Sequence, residues 1–128
     1  MKVMMDTHAF LWFIEGDVNL SQSARILIEN MEYQKVLSIA SLWEMSIKAS
    51  LKRLELKADF PTIIKQYVYG NGFDLLSIKP EHLEQLARLP FYHKDPFDRL
   101  IIAQAIADNI SIITKDSMFK SYPIRLFW

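Results

Sequence analysis

Two periods of apolar residues alternate along this chain. Short runs, "KVMM" at 2–5, "KVLSI" at 35–39, "FDLLSI" at 73–78 and "ISIITKD" at 110–116, have the length and bounding residues of strands. A fifth run, "IRLFW" at 124–128, predicts a strand at a sheet edge. Helical signals lie between them. "HAFLWFIEG" predicts a short helix stopped by Gly16. "LSQSARILIENME" puts Ala24, Leu27, Ile28 and Met31 on one stripe behind Ser21 as cap. "SLWEMSIKASLKRL" predicts a helix with Ser41 as cap and Glu44 three residues on, the spacing of a capping box. "DFPTIIKQYVYGNG" predicts a helix from Asp59 to Gly70 or Gly72. "KPEHLEQLARLP" has Pro80 near its start and Pro90 beyond its end. In "HKDPFDRLIIAQAIADN", Asp95 caps a helix running from about Pro96 to Asp108.

Strands alternating with helices predict a single α/β domain over 1–128, its mainly parallel sheet of four to five strands covered on both faces. In such sheets sites gather outside the carboxyl ends of the strands. Asp6 stands at the end of the first strand and Asp116 at the end of the fourth. Glu44 falls on the predicted first turn of the helix after the second strand. Asp98 falls on the first turn of the helix that feeds the fourth strand. Four acids far apart in sequence are thereby drawn to one rim by topology.

Each acid also has a local explanation. Asp6 suits a helix cap, Glu44 the return arm of a capping box, Asp98 the positive end of a helix dipole and Asp116 a turn. None of these accounts for convergence, which is costly. Two carboxylates about 5 Å apart repel by about 3 kcal/mol at an effective dielectric of 20. Several together need protonation or a cation, and all-oxygen ligands suit a hard ion such as Mg²⁺ or Mn²⁺. Such an ion supports phosphodiester hydrolysis with no covalent nucleophile on the protein. Thr7 and Thr114 stand beside strand-end acids and are placed to orient a carboxylate or a water, or simply to end a strand. His93 is a phosphate contact, a base or a structural loop residue. Arg99 pairs with Asp98, touches a phosphate or lies on the surface. Trp43 reads as packing, Met4 and Met5 as core or partner-facing, and the three tryptophans form no evident stacking platform.

Composition narrows the setting. With 128 residues, 51% hydrophobic and 23% charged, the chain folds around its own core. No cysteine is present, which excludes disulfides and thiolate metal sites. No apolar run has the length of a membrane span, and the start lacks the basic region of a signal peptide, so a soluble cytoplasmic protein is expected. A formal net charge of zero argues against nucleic-acid binding by bulk charge, though not against a nuclease whose acidic centre offsets a basic rim. Lys48, Lys52, Arg53 and Lys57 read as a solvated helix face and its exit.

"MMDTHAFLWFI", "SIASLWEMSIK" and "HKDPFDRLIIAQA…SIITKD" together resemble a PIN domain, most closely the VapC-type toxin ribonucleases of toxin–antitoxin pairs. The resemblance runs across essentially the whole chain. It implies a three-layer α/β/α sandwich and Mg²⁺-dependent endoribonuclease activity, with Mn²⁺ as a possible substitute ion. By the family pattern Asp6, Glu44, Asp98 and Asp116 are the four acids. Metal ligation is carried to Asp6 and Asp98, while Glu44 and Asp116 complete the centre or position water. Thr7 and Thr114 match the small hydroxyl positions. A homodimer and a small antitoxin partner are also implied, with RNA as substrate. Two alternatives remain open: a catalytically silent binding domain of the same fold, and a phosphatase of the haloacid-dehalogenase type. The latter typically carries a second acid two residues after the first, where this chain has His8.

Overall fold

Five strands form one parallel sheet in the order β3-β2-β1-β4-β5 in the computed structural model, which describes residues 1–128. The strands are β1 (Lys2–Met5), β2 (Gln34–Ser38), β3 (Phe73–Leu76), β4 (Ser111–Ile113) and β5 (Leu126–Phe127). The helices are α1 (Thr7–Glu15), α2 (Gln22–Glu29), α3 (Ile39–Ser50), α4 (Phe60–Thr62), α5 (Pro80–Ala87) and α6 (Pro96–Asp108).

Alternation along the strands divides the core in two. Val3, Met5, Leu37 and Ile113 face one side, where Phe10, Ile28, Met45, Ile63 and Phe73 pack on them. Met4, Val36 and Ile112 face the other, against Leu100, Ile101, Ile102 and Phe119. The outcome is the expected α/β/α sandwich. α6 is buried along most of its length, which explains why "RLIIAQA" lacks a polar face.

Caps set most element boundaries where the sequence puts them. The Ser21 hydroxyl accepts from the Ala24 N–H, Asp59 from Thr62 and Asp95 from Asp98. Gly16 ends α1 in the left-handed region at φ 64°, and Gly72 plays the same part at φ 77°.

Three local expectations fail. First, β2 runs into α3 with no loop, so the cap of α3 is Ser38, which accepts from Ala40, and not Ser41. Ser41 lies inside the helix, and Glu44 is therefore beyond the first turn and in no capping box. Second, the segment after Asp59 is not one α-helix. α4 gives way to a π-helical turn over Ile63–Val68 and a 3₁₀ turn over Tyr69–Asn71. Ile63 and Val68 are thereby both placed in the core. Third, α2 ends at Glu29, leaving Met31 outside the helix and 94% exposed.

Candidate metal centre

β1 and β4 are neighbours in the sheet although most of the chain separates them, so the winding reverses between them. That reversal opens a crevice at their carboxyl ends. Asp6 leaves β1 there and caps α1. Its Oδ1 accepts the Ala9 N–H at 2.8 Å and its Oδ2 accepts the Thr114 hydroxyl at 2.5 Å. Thr114 thus crosses the crevice from β4 and fixes the Asp6 carboxylate, while Asp6 itself is only 5% exposed. Burial raises the Asp6 carboxyl above its ordinary range. The Thr114 hydroxyl and the Ala9 N–H act against that rise.

Asp98 enters from the first turn of α6, below the Asp95 cap. Its carboxyl is pushed up to about 8, first by burial and then by the charges of Asp95, Asp6, Glu44 and Asp116. The dipole of α6 does not offset that crowding. Glu44 comes from α3 and is 3% exposed. Its Oε2 accepts from Lys48 Nζ at 2.6 Å, one helical turn on. Its Oε1 is the single buried side-chain polar atom with no hydrogen-bond partner. Asp116 caps the 3₁₀ turn Ser117–Ser121 by accepting from Met118.

His93 joins two of these acids. Its Nδ1 accepts the Asp95 N–H at 3.2 Å, so the ring proton sits on Nε2. From there it is 2.9 Å from Asp116 Oδ2 and 3.1 Å from Asp98 Oδ2. One ligand atom from each of His93, Asp98 and Asp116 lies within 4.8 Å of the others. Spacing alone does not reveal this arrangement. The only signal in the sequence is that His93 stands two residues before the Asp95 cap.

Two expected neighbours turn elsewhere. The Thr7 hydroxyl donates to Ser41 at 3.0 Å and reaches no acid. Arg99 does not pair with Asp98. Its guanidinium donates to the carbonyls of Leu89, Pro90 and His93 at 3.1, 2.9 and 3.2 Å, and Phe91 stacks over it at 3.7 Å. Arg99 therefore holds the loop that carries His93. Tyr122 assists by accepting the His93 N–H and donating to the Pro90 carbonyl. Lys48, its side chain 39% exposed, reaches in to pair with Glu44, and its spacing of four from Glu44 is the legible sign of that pair. Trp43 is not a core residue but 53% exposed, edge-on to Phe97 beside the centre.

The donors fit a hard divalent cation. Burial, and after it the charge of neighbouring acids, raises two of the carboxyls, one buried carboxylate oxygen lacks a partner, and every acid offers oxygen. Each of these is relieved by a cation in their midst.

A wound parallel sheet with a carboxylate centre at its switch point defines an α/β domain with an acidic cluster that could hold a metal ion. The chain belongs to the PIN domain family, whose pattern matches residues 3–124. It is 28% identical over 121 residues to ribonuclease VapC22 of Mycobacterium tuberculosis, covering 94% of this chain and 91% of that protein. Its fold is that of a chain in DNA-bound VapBC from Salmonella typhimurium, with a TM-score of 0.71, 19% identity, and 99% and 97% of the two chains covered. VapBC2 from Rickettsia felis, bound to a promoter DNA fragment, gives a TM-score of 0.69 at 18% identity, covering 99% and 98%. FitAcB from Neisseria gonorrhoeae gives 0.68 at 14%, covering 98% and 96%. No helix is long and apolar enough to cross a membrane.

Proposed function

We propose that this protein is a divalent-metal-dependent endoribonuclease, the toxin of a toxin–antitoxin pair, with Mg²⁺ as its ion. The observation that carries the reading is the carboxylate cluster at the switch point, with the Asp98 carboxyl pushed up to about 8 by burial and its neighbours. Family membership and the VapC ribonuclease relative support it, and the toxin–antitoxin complexes that share the fold support an antitoxin partner. A second copy of the chain and RNA as substrate belong to the same reading.

Asp6 and Asp98 would hold the ion, although the ligand atoms that stand within 4.8 Å of one another are those of His93, Asp98 and Asp116. Bound there, a divalent cation supplies positive charge toward a phosphoryl oxygen and an attacking water. The chain's own residues do the rest. Thr114 orients the Asp6 carboxylate. His93 donates its Nε2–H to Asp116 and stands 3.1 Å from Asp98, which keeps the two acids beside one another. Glu44, anchored through Oε2 by Lys48, keeps Oε1 free to accept from a water or to reach the ion. Asp95 stays a cap, and its charge bears on the site only through Asp98.

Cleavage of RNA by the purified chain with Mg²⁺ tests this. Asp98→Asn and a chelator each abolish cleavage. Asp95→Asn keeps a cap-competent side chain and most of the activity. Undiminished cleavage by Asp98→Asn, or in the chelator, sinks the assignment.

A further inference from the structure

Beside the acidic centre, between α1 and α3, lies a cavity of about 200 Å³. Glu44 lines it and also belongs to the centre. Leu11 and Met45 give it a buried apolar floor. One wall is aromatic: the His8 and Trp12 rings lie 5.7 Å apart at 35°. Trp12 packs in a T-shaped pair with Trp128 at 6.0 Å, and Lys115 Nζ lies over its ring at 5.9 Å. Arg53 and Lys48 stand at the rim, where Glu15 is the only exposed acid. Lys48 is engaged by Glu44, whereas Arg53 pairs with no carboxylate and remains exposed.

Taken together these are the parts of a nucleotide site. At about 30 Å³ per water the cavity has room for about seven waters, the space of one planar ring rather than of a folded segment. An aromatic wall accepts any unstacked base by its π face, and an unpaired guanidinium beside it suits a phosphate. The position matters as much as the chemistry. An unpaired Arg53 next to a carboxylate centre lets an anionic strand approach charges that otherwise repel it. The formal net charge of zero leaves such local placement as the means of binding.

We infer that the cavity between α1 and α3 is a subsite for one nucleotide of single-stranded RNA. The base lies against Trp12 and His8, and its phosphate lies on Arg53. The inference rests on the ribonuclease reading and names how that site takes its substrate. The tryptophans, which show no platform in the sequence pattern, supply one through Trp12 once α1 is folded.

The experiment uses the full chain and a short fluorescent 2′-O-methyl single-stranded oligoribonucleotide, which resists cleavage, titrated in chelator and followed by anisotropy. Cleavage of unmodified RNA with Mg²⁺ is measured alongside. Arg53→Gln, at an exposed position, weakens binding and lowers the slope of log K against log salt by about 0.7, the loss of one phosphate contact on a single strand. Trp12→Leu keeps apolar volume but removes the ring, and weakens binding about tenfold, whereas Trp12→Phe restores most of it. In cleavage both losses appear in KM rather than kcat. Unchanged affinity, salt slope and KM in Arg53→Gln and Trp12→Leu overturn the subsite and leave the cavity to a protein segment. Binding by the parent chain without any cleavage overturns the nuclease reading but not the subsite.

Discussion

Arg99 shows how far a residue's role departs from its neighbours in sequence. It follows Asp98, and an ion pair is the obvious reading. A side chain on the first turn of α6 points around the helix, however, and residue 99 faces the loop before the helix rather than the acid. There its planar fork meets three carbonyls at once, an arrangement that one ammonium group does not reproduce. Arg99→Met takes the side-chain donor from the Leu89 and His93 carbonyls, while Pro90 keeps Tyr122, and costs roughly 3 kcal/mol. For a domain of this size that lowers the melting midpoint by roughly 10 °C. Thermal denaturation in chelator checks it, since metal binding then plays no part. A midpoint within a degree or two of the parent's would mean that Arg99 is free for substrate. His93 was legible only as a lone loop histidine, because its contacts depend on this same loop. Thr114, by contrast, was legible beside a strand end, and the structure lays its hydroxyl on Asp6.

At the scale of elements, the strands and most helix starts could be read directly, because each is fixed by a short local device. The cap of α3 could not. "SIASLWEM" offers two serines three residues apart, and a strand passing straight into a helix leaves no turn residues to separate them. The structure gives the two serines different work. Ser38 caps Ala40 and donates to Gln104, tying the β2–α3 junction to α6. Ser41 only receives the Thr7 hydroxyl. Ser38→Ala therefore costs about 2 kcal/mol, a cap plus a buried hydrogen bond, and Ser41→Ala about half of that. Urea denaturation of the two variants measures the difference through the midpoint at constant m. The reverse order would restore Ser41 as the cap. The π-helical turn at Ile63–Val68 had no comparable signal. It is set by how Ile63 and Val68 must both reach the core, which is a property of the assembled layers.

The whole molecule decides the electrostatics of the centre. The gathering of Asp6, Asp98 and Asp116 on one rim was legible, because it follows from strand ends and chain direction, whereas the sequence places Glu44 there by a first-turn position that α3 does not give it. What each acid feels was not legible, because that depends on burial and on which carboxylates meet. The folded protein lifts Asp98 from an ordinary value near 3.8 to about 8, and lifts Asp6 in the same direction. A raised carboxyl means that the native state binds the proton more tightly than the unfolded chain does. Stability then rises as pH falls through the folded value toward the unfolded one. Asp59, the one acid lowered, is fully exposed and titrates below this window. The metal-free protein should accordingly melt at higher temperature near pH 6 than near pH 9, the opposite of a fold held by salt-bridged carboxylates. A divalent cation adds stability by mass action, and binding must expel the Asp98 proton at the acid end. Mg²⁺ should therefore raise the midpoint most near pH 9, bringing the two curves together as pH falls. Melting series with Mg²⁺ and with chelator across that range measure both slopes. A metal-free midpoint that falls on acidification would mean that Lys48, His93 and Thr114 already compensate the carboxylates, and that relief of their crowding is not what draws a cation to the site.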